Sequence, residues 1–384
     1  MKKVKTIWMA AVMLLIFGAC SSDSPEEQAP VLNIYVYAPG QPTPTRSVTD
    51  PTPEEKKVNS MTLWVYRSSS GKQLGSITLN SDELETLNND NMGIYSMSVD
   101  EAFARNPEPV DVYVLANVSA SNTGRTFDAT IADKMSLENA QFDGGYYYKF
   151  ANTQTAATAL SAEGLPMSGV VREKAVINQN AVLHMTDANL QLVRDISKIR
   201  FVFSSLAGTD FPFLYIDEVK LNKNLLYTSD YLFLNDEHPY FRVGTGLWDK
   251  EVLLVEKLKD KDNIPQYVNT CTDPRKYAYV SGMDETAYEA KIKEGLEKGE
   301  LTEAPTVYLP ESDKRLTGTI TFHLSSNPSD LRTASFMMLN GDFRRNQTWI
   351  VYVYYTGSSK LDITSVKVTD WENGGQTDHS IHNW

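Results

Sequence analysis

The sequence predicts an all-β protein of two β-sandwich domains with a few short helices. Short runs with apolar residues at every second position recur along the chain, divided by Gly-, Pro- and Asn-rich turns. Helical patterns are few and short. Strands do not alternate with helices, which argues against a parallel sheet built from strand–helix–strand units. The length of 384 residues suits two domains of ordinary size, and 41% apolar with 22% charged residues is the balance of a folded chain.

The N-terminus reads as an address. Lys2, Lys3 and Lys5 precede an apolar stretch from Ile7 to Phe17, too short to span a bilayer and followed by Gly18 and Ala19. A basic start, a short apolar segment and small residues before a cut define a secretory signal over 1–19. Phe17, Gly18, Ala19 and Cys20 resemble a bacterial lipobox, in which Cys20 becomes the lipidated first residue. Each buried acyl methylene adds about 0.8 kcal/mol, so a multiply acylated Cys20 anchors firmly. The polar, acidic stretch 21–27 is a tether, and 20–46 together form the lipidated tether and first strand.

Residues 31–38 read as that strand, with Leu32, Ile34 and Val36 on one face and Asn33, Tyr35 and Tyr37 on the other. Five prolines follow within 39–53, which favours an extended, solvated linker. Arg46 stands alone in it. An isolated basic residue on exposed, extended backbone suits a trypsin-like protease cutting between Arg46 and Ser47. It equally suits a plain surface arginine, and both readings stay open on the residues alone.

The body begins with a strand over 61–66, where Met61, Leu63 and Val65 share a face; Gly71 marks a turn and 74–79 returns. A strand follows at 110–116, and short helices at 81–87 and 133–142 each open on a capping residue. The run 183–186 closes the first half. With the boundary near 187, the domains are 47–187 and 188–384. In the second, 190–203 supplies one long bent strand or two, followed by strands at 213–221, 317–324, 347–355 and 361–369. Between them 284–298 is a charged helix with Tyr288, Ile292 and Leu296 at four-residue steps.

A chemical site does not emerge. The net charge of −13, from 36 basic and 49 acidic residues, repels phosphate backbones and excludes nucleic acid as a partner. With Cys20 lipidated, Cys271 is a lone, partly buried thiol, without a disulfide, zinc or redox pair. Of five histidines only His379 and His382 have ligand-like spacing, in a polar tail that reads as a frayed terminus. The chain has no nucleophile elbow, phosphate-cradling loop or metalloprotease helix, so neither an enzyme nor a cofactor is expected. Asp260, Asp262 and Asn263 hint at calcium, but lack the glycine and distal glutamate of a loop site and read as a solvated turn. The 20 tyrosines and 6 tryptophans suit a sandwich and leave open a surface glycan-binding lipoprotein as the alternative to a structural subunit.

In order along the chain, several segments resemble the fimbrillins of Bacteroides and Porphyromonas relatives, the FimA/Mfa1-like pilins of type V pili. They are the lipobox at Cys20, the strand segment ending at Arg46, and residues 112–117, 165–169, 193–200, 307–311, 344–352 and 366–371. The resemblance implies two transthyretin-like sandwiches, the second opening at 193–200. It also implies an outer-membrane lipoprotein precursor whose first strand, through Leu32, Ile34 and Val36, fills a slot in its own sandwich. A trypsin-like protease cuts after the arginine that corresponds to Arg46, that strand leaves, and a C-terminal strand of the next pilin subunit takes its place in a cell-surface fimbrium. Leu361, Ile363, Val366 and Val368 are the donor-strand candidates here, with a register break after Ile363. The last thirteen residues are polar, so if 361–371 is internal to the domain, a tip or accessory subunit is implied instead.

Overall fold

Alternating apolar residues pair into sheets, and each sheet buries its apolar face against a second. The structure, a computed structural model, describes residues 29–39, 53–120, 127, 133–143, 164–179, 182–186, 189–208, 212–238, 242–260, 262–338, 343–357 and 360–370. In its first half run β1 (Val31–Tyr37), β2 (Ser60–Arg67), β3 (Gln73–Asn80), β4 (Met92–Ser98), β5 (Val110–Ala116) and β6 (Gln141–Asp143). They are followed by β7 (Met167–Lys174), β8 (Val176–Gln179), β9 (Val182–Met185), β10 (Leu190–Gln191) and β11 (Val193–Arg194). The second half holds β12 (Ser197–Leu206), β13 (Leu214–Leu221), β14 (Tyr227–Tyr231), β15 (Thr245–Leu247), β16 (Val252–Val255) and β17 (Thr270–Cys271). Then come β18 (Thr302–Glu303), β19 (Val307–Leu309), β20 (Thr317–Leu324), β21 (Asn327–Met337), β22 (Gln347–Tyr355) and β23 (Leu361–Asp370). Among the described residues the α-helices are α1 (Pro53–Lys56), α2 (Glu85–Asp90), α3 (Glu101–Arg105), α4 (Lys134–Glu138) and α5 (Glu285–Glu297).

The first sandwich stacks two sheets. In one, β4 lies beside β1, β9 and β10 share the other side of β1, and β8 is outermost; in the facing sheet the order is β3-β2-β5-β7-β11. Leu63, Val65, Val112 and Val114 join Leu32, Ile34 and Val36 in its core. Trp64, Tyr66 and Tyr113, on the opposite face, are buried too. Tyr113 packs edge-on against Tyr66 and against Phe233, which arrives from the second half of the chain.

The expected boundary near 187 falls just before β10, which pairs with β1, and β11, which pairs with β7; β12 then opens the second sandwich. The run 190–203, expected as one or two strands, is three, because the chain crosses from one sheet to the other before leaving. The second sandwich faces β23-β22-β12, with β17, β18 and β19 along the far side of β12, against β16-β13-β20-β21. Phe201, Phe203, Ile216, Phe322, Trp349 and Val353 fill it.

The helix expected at 284–298 is α5, capped by Asp284, whose side chain accepts from the Ala287 N–H. Tyr288 and Ile292 press onto Val202, Ile350 and Tyr352 on the outer face of β12 and β22. Gly295 leaves room for Leu301 and Tyr277 to pack on the helix, since a Cβ there would meet Leu301 Cδ1 at 2.5 Å and Tyr277 Cε1 at 2.7 Å. The helix expected at 81–87 is a 3-10 turn boxed by Asn80 and Glu83 that runs on into α2. Over 133–142 only α4 is helical, because β6 takes up the following residues to pair with β14. That pairing joins the two halves in one small sheet, β6-β14-β15.

Candidate functional site

β1 is paired along both edges. All seven of its residues pair antiparallel with β4, from Val31 opposite Ser98 to Tyr37 opposite Met92. On the other side, residues 31–33 pair parallel with β9 and residues 36–37 with β10. Bonds continue past both ends: Val99 N–H donates to Pro30 O, Leu192 N–H to Tyr37 O, and Ala38 N–H to Asn91 O. Gln191 Nε2 donates to Ala38 O at 2.6 Å, and Ser96 Oγ to Asn33 Oδ1 at 2.7 Å. Leu32, Ile34 and Val36 are each 0% exposed. A slot emptied of β1 would leave β4 on one bank and β9 and β10 on the other, both with unpaired backbone groups beside an apolar floor.

β23 lies differently. It pairs antiparallel with β22 along its length, Leu361 opposite Tyr355 through Asp370 opposite Gln347, and shifts register by one residue between Lys367 and Thr369. Leu361 is buried, and Ile363 packs against the second core. Val366 sits opposite Ile350; the side chains of Val366 and Val368 lie outside the described residues. The segment 361–370 is thus an internal strand of its own sandwich. Cys20, Arg46, Ser47 and the tail from 371, with His379 and His382, also lie outside the described residues.

Between the sandwiches runs a seam of buried charge that the sequence reading passed over. Arg345 Nη1 meets Asp195 Oδ1 at 2.8 Å and its Nη2 meets Glu311 Oε2 at 2.7 Å. Arg345 also donates to the carbonyls of Leu232 and Tyr231. Asp230, wholly buried, accepts from the Glu311 N–H at 3.1 Å. Three carboxylates therefore face one guanidinium. Burial pushes the Asp195 carboxyl up to about 7, against the pull of Arg345, and its Oδ2 has no hydrogen-bond partner among the described residues. Burial and then the Glu311 charge raise Asp230 as well.

A second group lies alongside. Glu55 of α1, 2% exposed, receives Lys198 Nζ at 3.2 Å and the Tyr308 hydroxyl, while its carbonyl accepts from Arg194 Nε at 3.0 Å. Burial lowers the Lys198 ammonium, partly countered by Glu55. The signal for these residues was present as charges inside apolar runs: Arg194, Asp195 and Lys198 interrupt 190–203, and Glu311 and Arg345 close or open such runs. Four of the segments that carry the fimbrillin resemblance meet at this seam, through Ser168, Asp195, Glu311 and Arg345.

Elsewhere the chemistry is quiet. Cys271 is buried, with burial pushing its thiol up and Ser204 Oγ 3.3 Å from Sγ. Asp260 closes its own turn by accepting from the N–H groups of Asp262 and Ile264. No cluster of three or more His, Cys, Asp or Glu among the described residues could hold a metal ion.

Residues 32–198 match the family model of the major fimbrial subunit protein, FimA. The resemblance to the fimbrillins is thus carried by a family model across the first sandwich. No curated protein matches the chain. Among solved structures, a candidate cell adhesion protein from Parabacteroides distasonis is 16% identical and superposes with a TM-score of 0.55, over 90% of this chain and 99% of that one. The tip fimbrial protein Mfa3 from Porphyromonas gingivalis, with a C-terminal truncation, is 11% identical with a TM-score of 0.50, over 88% and 99%. A candidate cell adhesion protein from Bacteroides eggerthii is 13% identical with a TM-score of 0.51, over 88% and 95%. At these identities the likeness is one of fold. The family match over residues 32–198 supports a fimbrial role, and the shared fold is consistent with it.

Proposed function

We propose, for a chain of the fimbrillin family, that it is a structural subunit of a surface fimbria that is exported as a lipoprotein and assembled by strand exchange. Cys20 anchors the precursor to the outer membrane, a trypsin-like protease cuts between Arg46 and Ser47, and β1 leaves its slot to be replaced by a strand of a neighbouring subunit. The observation that carries the reading is the position of β1. It is central in its sheet, yet it is joined to the rest of the body only through the proline-rich linker.

The energetics suit exchange rather than simple loss. Three inward side chains contribute about 1.5–3 kcal/mol each when buried, and ladder hydrogen bonds a net ~1 kcal/mol each. An empty slot is costly, and an extended peptide with apolar residues at alternate positions refills it by edge pairing.

A donor strand running through Leu361, Ile363, Val366 and Val368 would first have to leave β22. That pairing favours a second reading of the same function, in which the chain accepts a strand and donates none, as a tip or accessory subunit would. A surface lipoprotein that binds glycans and keeps β1 in place is the competing class.

Low-dose trypsin on the purified precursor separates them. A fimbrial subunit loses the segment before Ser47, keeps a compact remainder and forms SDS-resistant adducts with partner subunits. A glycan binder stays monomeric, and removal of 31–46 leaves its sugar binding intact. Arg46→Ala is expected to block maturation; normal polymer from that variant would overturn the scheme.

A further inference from the structure

Ten residues beyond Arg46 stand two more basic residues, Lys56 and Lys57. Lys57 is exposed, so its side chain alone would suit the same class of protease that reads an arginine. The backbone around it is another matter. Lys57 O accepts from Asn117 Nδ2 at 2.8 Å, and the Val58 N–H donates to Asn88 Oδ1 at 2.9 Å, so both sides of the Lys57–Val58 bond are held. Asn88 Nδ2 returns a bond to Val58 O at 2.8 Å, and the Asn59 N–H donates to Asn117 Oδ1 at 2.7 Å. Upstream, Glu55 is fixed in the seam by Lys198, Tyr308 and Arg194. Val58 itself is buried in the first core.

The clamp is built into the fold around it. Asn117 takes φ 57°, left-handed backbone that asparagine adopts more readily than most residues. Its Nδ2 also reaches Leu165 O at 2.9 Å. Gly164, at φ 80°, leaves the necessary room, since a Cβ there would lie 2.6 Å from Asn117 Nδ2. A protease needs several residues freed in extended form around the bond it cuts. Here such opening breaks the 55–59 bonds together and strands the polar ends of Asn88, Asn117 and Lys198.

We propose that Glu55, Asn88 and Asn117 form a clamp that withholds the Lys56–Lys57 pair from trypsin-like cleavage and so fixes where the processed chain begins. Without it, hydrolysis by water at Lys57–Val58 would leave a carboxylate on Lys57 and an amine on Val58. It would also detach α1 and its Glu55 from the seam. With it, the processed chain begins upstream of Val58. The inference rests on the reading that a trypsin-like protease processes the precursor.

The test is a trypsin time course on purified precursor, with the new N-termini identified by mass spectrometry. The native chain is expected to give a limit product that keeps the Lys57–Val58 bond. Asn88→Ala and Glu55→Gln are expected to release a product beginning at Val58 roughly tenfold faster, with the remainder of the body intact. A native chain cut after Lys57 as fast as after Arg46 overturns the clamp, as do variants cut at the native rate. Should Glu55→Gln be degraded throughout, Asn88→Ala alone decides, because the Asn88 side chain bonds the Val58 backbone and not the seam charges. The two bonds are scored separately in one digest. Resistance at Arg46 therefore counts against the processing scheme, while the Lys57–Val58 comparison between native chain and variants still judges the clamp.

Discussion

β1 has sheet partners on both sides, β4 along one and β9 with β10 along the other, whereas β23 lies at the edge of its sheet with β22 as its partner. β1 buries three large side chains completely; among the described side chains of β23, Leu361 is buried and Ile363 half-buried. The strand that sequence position makes easiest to detach is thus one bonded along both edges. A strand at the rim, with a covalent neighbour in β22, costs less to lose but has a place of its own. Removing β1 would open a slot with pairing groups on both banks, while β23 already fills a place in its own sheet.

Substitutions that charge each strand should expose this asymmetry. Ile34→Asp places a carboxylate under the first sandwich and is expected to destabilise by more than ~4 kcal/mol, enough to unfold that half. Ile363→Asp, at a half-buried edge position, is expected to cost about 1 kcal/mol. Urea unfolding followed in each sandwich reads both, and equal losses would mean that the two strands are held alike.

The seam between the sandwiches is expected to respond to pH. Burial holds Asp195 up to about 7, so the folded protein keeps a proton that the unfolded chain has already lost above its ordinary carboxylate value. The contribution of this group to stability therefore falls as pH rises from about 4 to about 7 and is flat beyond. Asp195→Asn removes that fall. Relative to the native chain, the variant should gain roughly 2–3 kcal/mol between pH 5 and pH 7.5, read from urea midpoints. A constant difference across that window would show that another group carries the proton.

The smallest expected effect sharpens the picture of β1. Ser96→Ala deletes the hydroxyl that donates to Asn33 Oδ1 and is expected to cost about 0.5–1 kcal/mol in the precursor. Once β1 has been replaced by a strand without that asparagine, the same substitution should cost nothing. Persistence of the loss would mean that Ser96 serves the sheet in some other way.

The inward face of β1 was legible because a period of two needs only neighbours in sequence: Leu32, Ile34 and Val36 follow from their own run. The same holds for β2 and for α5 with its cap at Asp284. What could not be read was cover supplied from far away. Trp64, Tyr66 and Tyr113 look solvent-facing by alternation, but the second half of the chain sends Leu232 and Phe233 over that face. The division of 190–203 into three strands depends on where β1 and β7 lie, which no local pattern carries. The seam is a further step removed. Arg345, Asp195, Glu311 and Asp230 come from four separated segments, and a charge within an apolar run signals a partner without naming it.

The most direct test of the central claim empties and refills the slot. Precursor is cut in the linker, the freed β1 segment is stripped in urea, and the body is refolded with or without a labelled peptide spanning 29–39. One peptide is expected to bind per chain, with slow amide exchange along β4 and β9 only when it is present. A first sandwich that regains the same stability and the same protected amides with no strand supplied would contradict it.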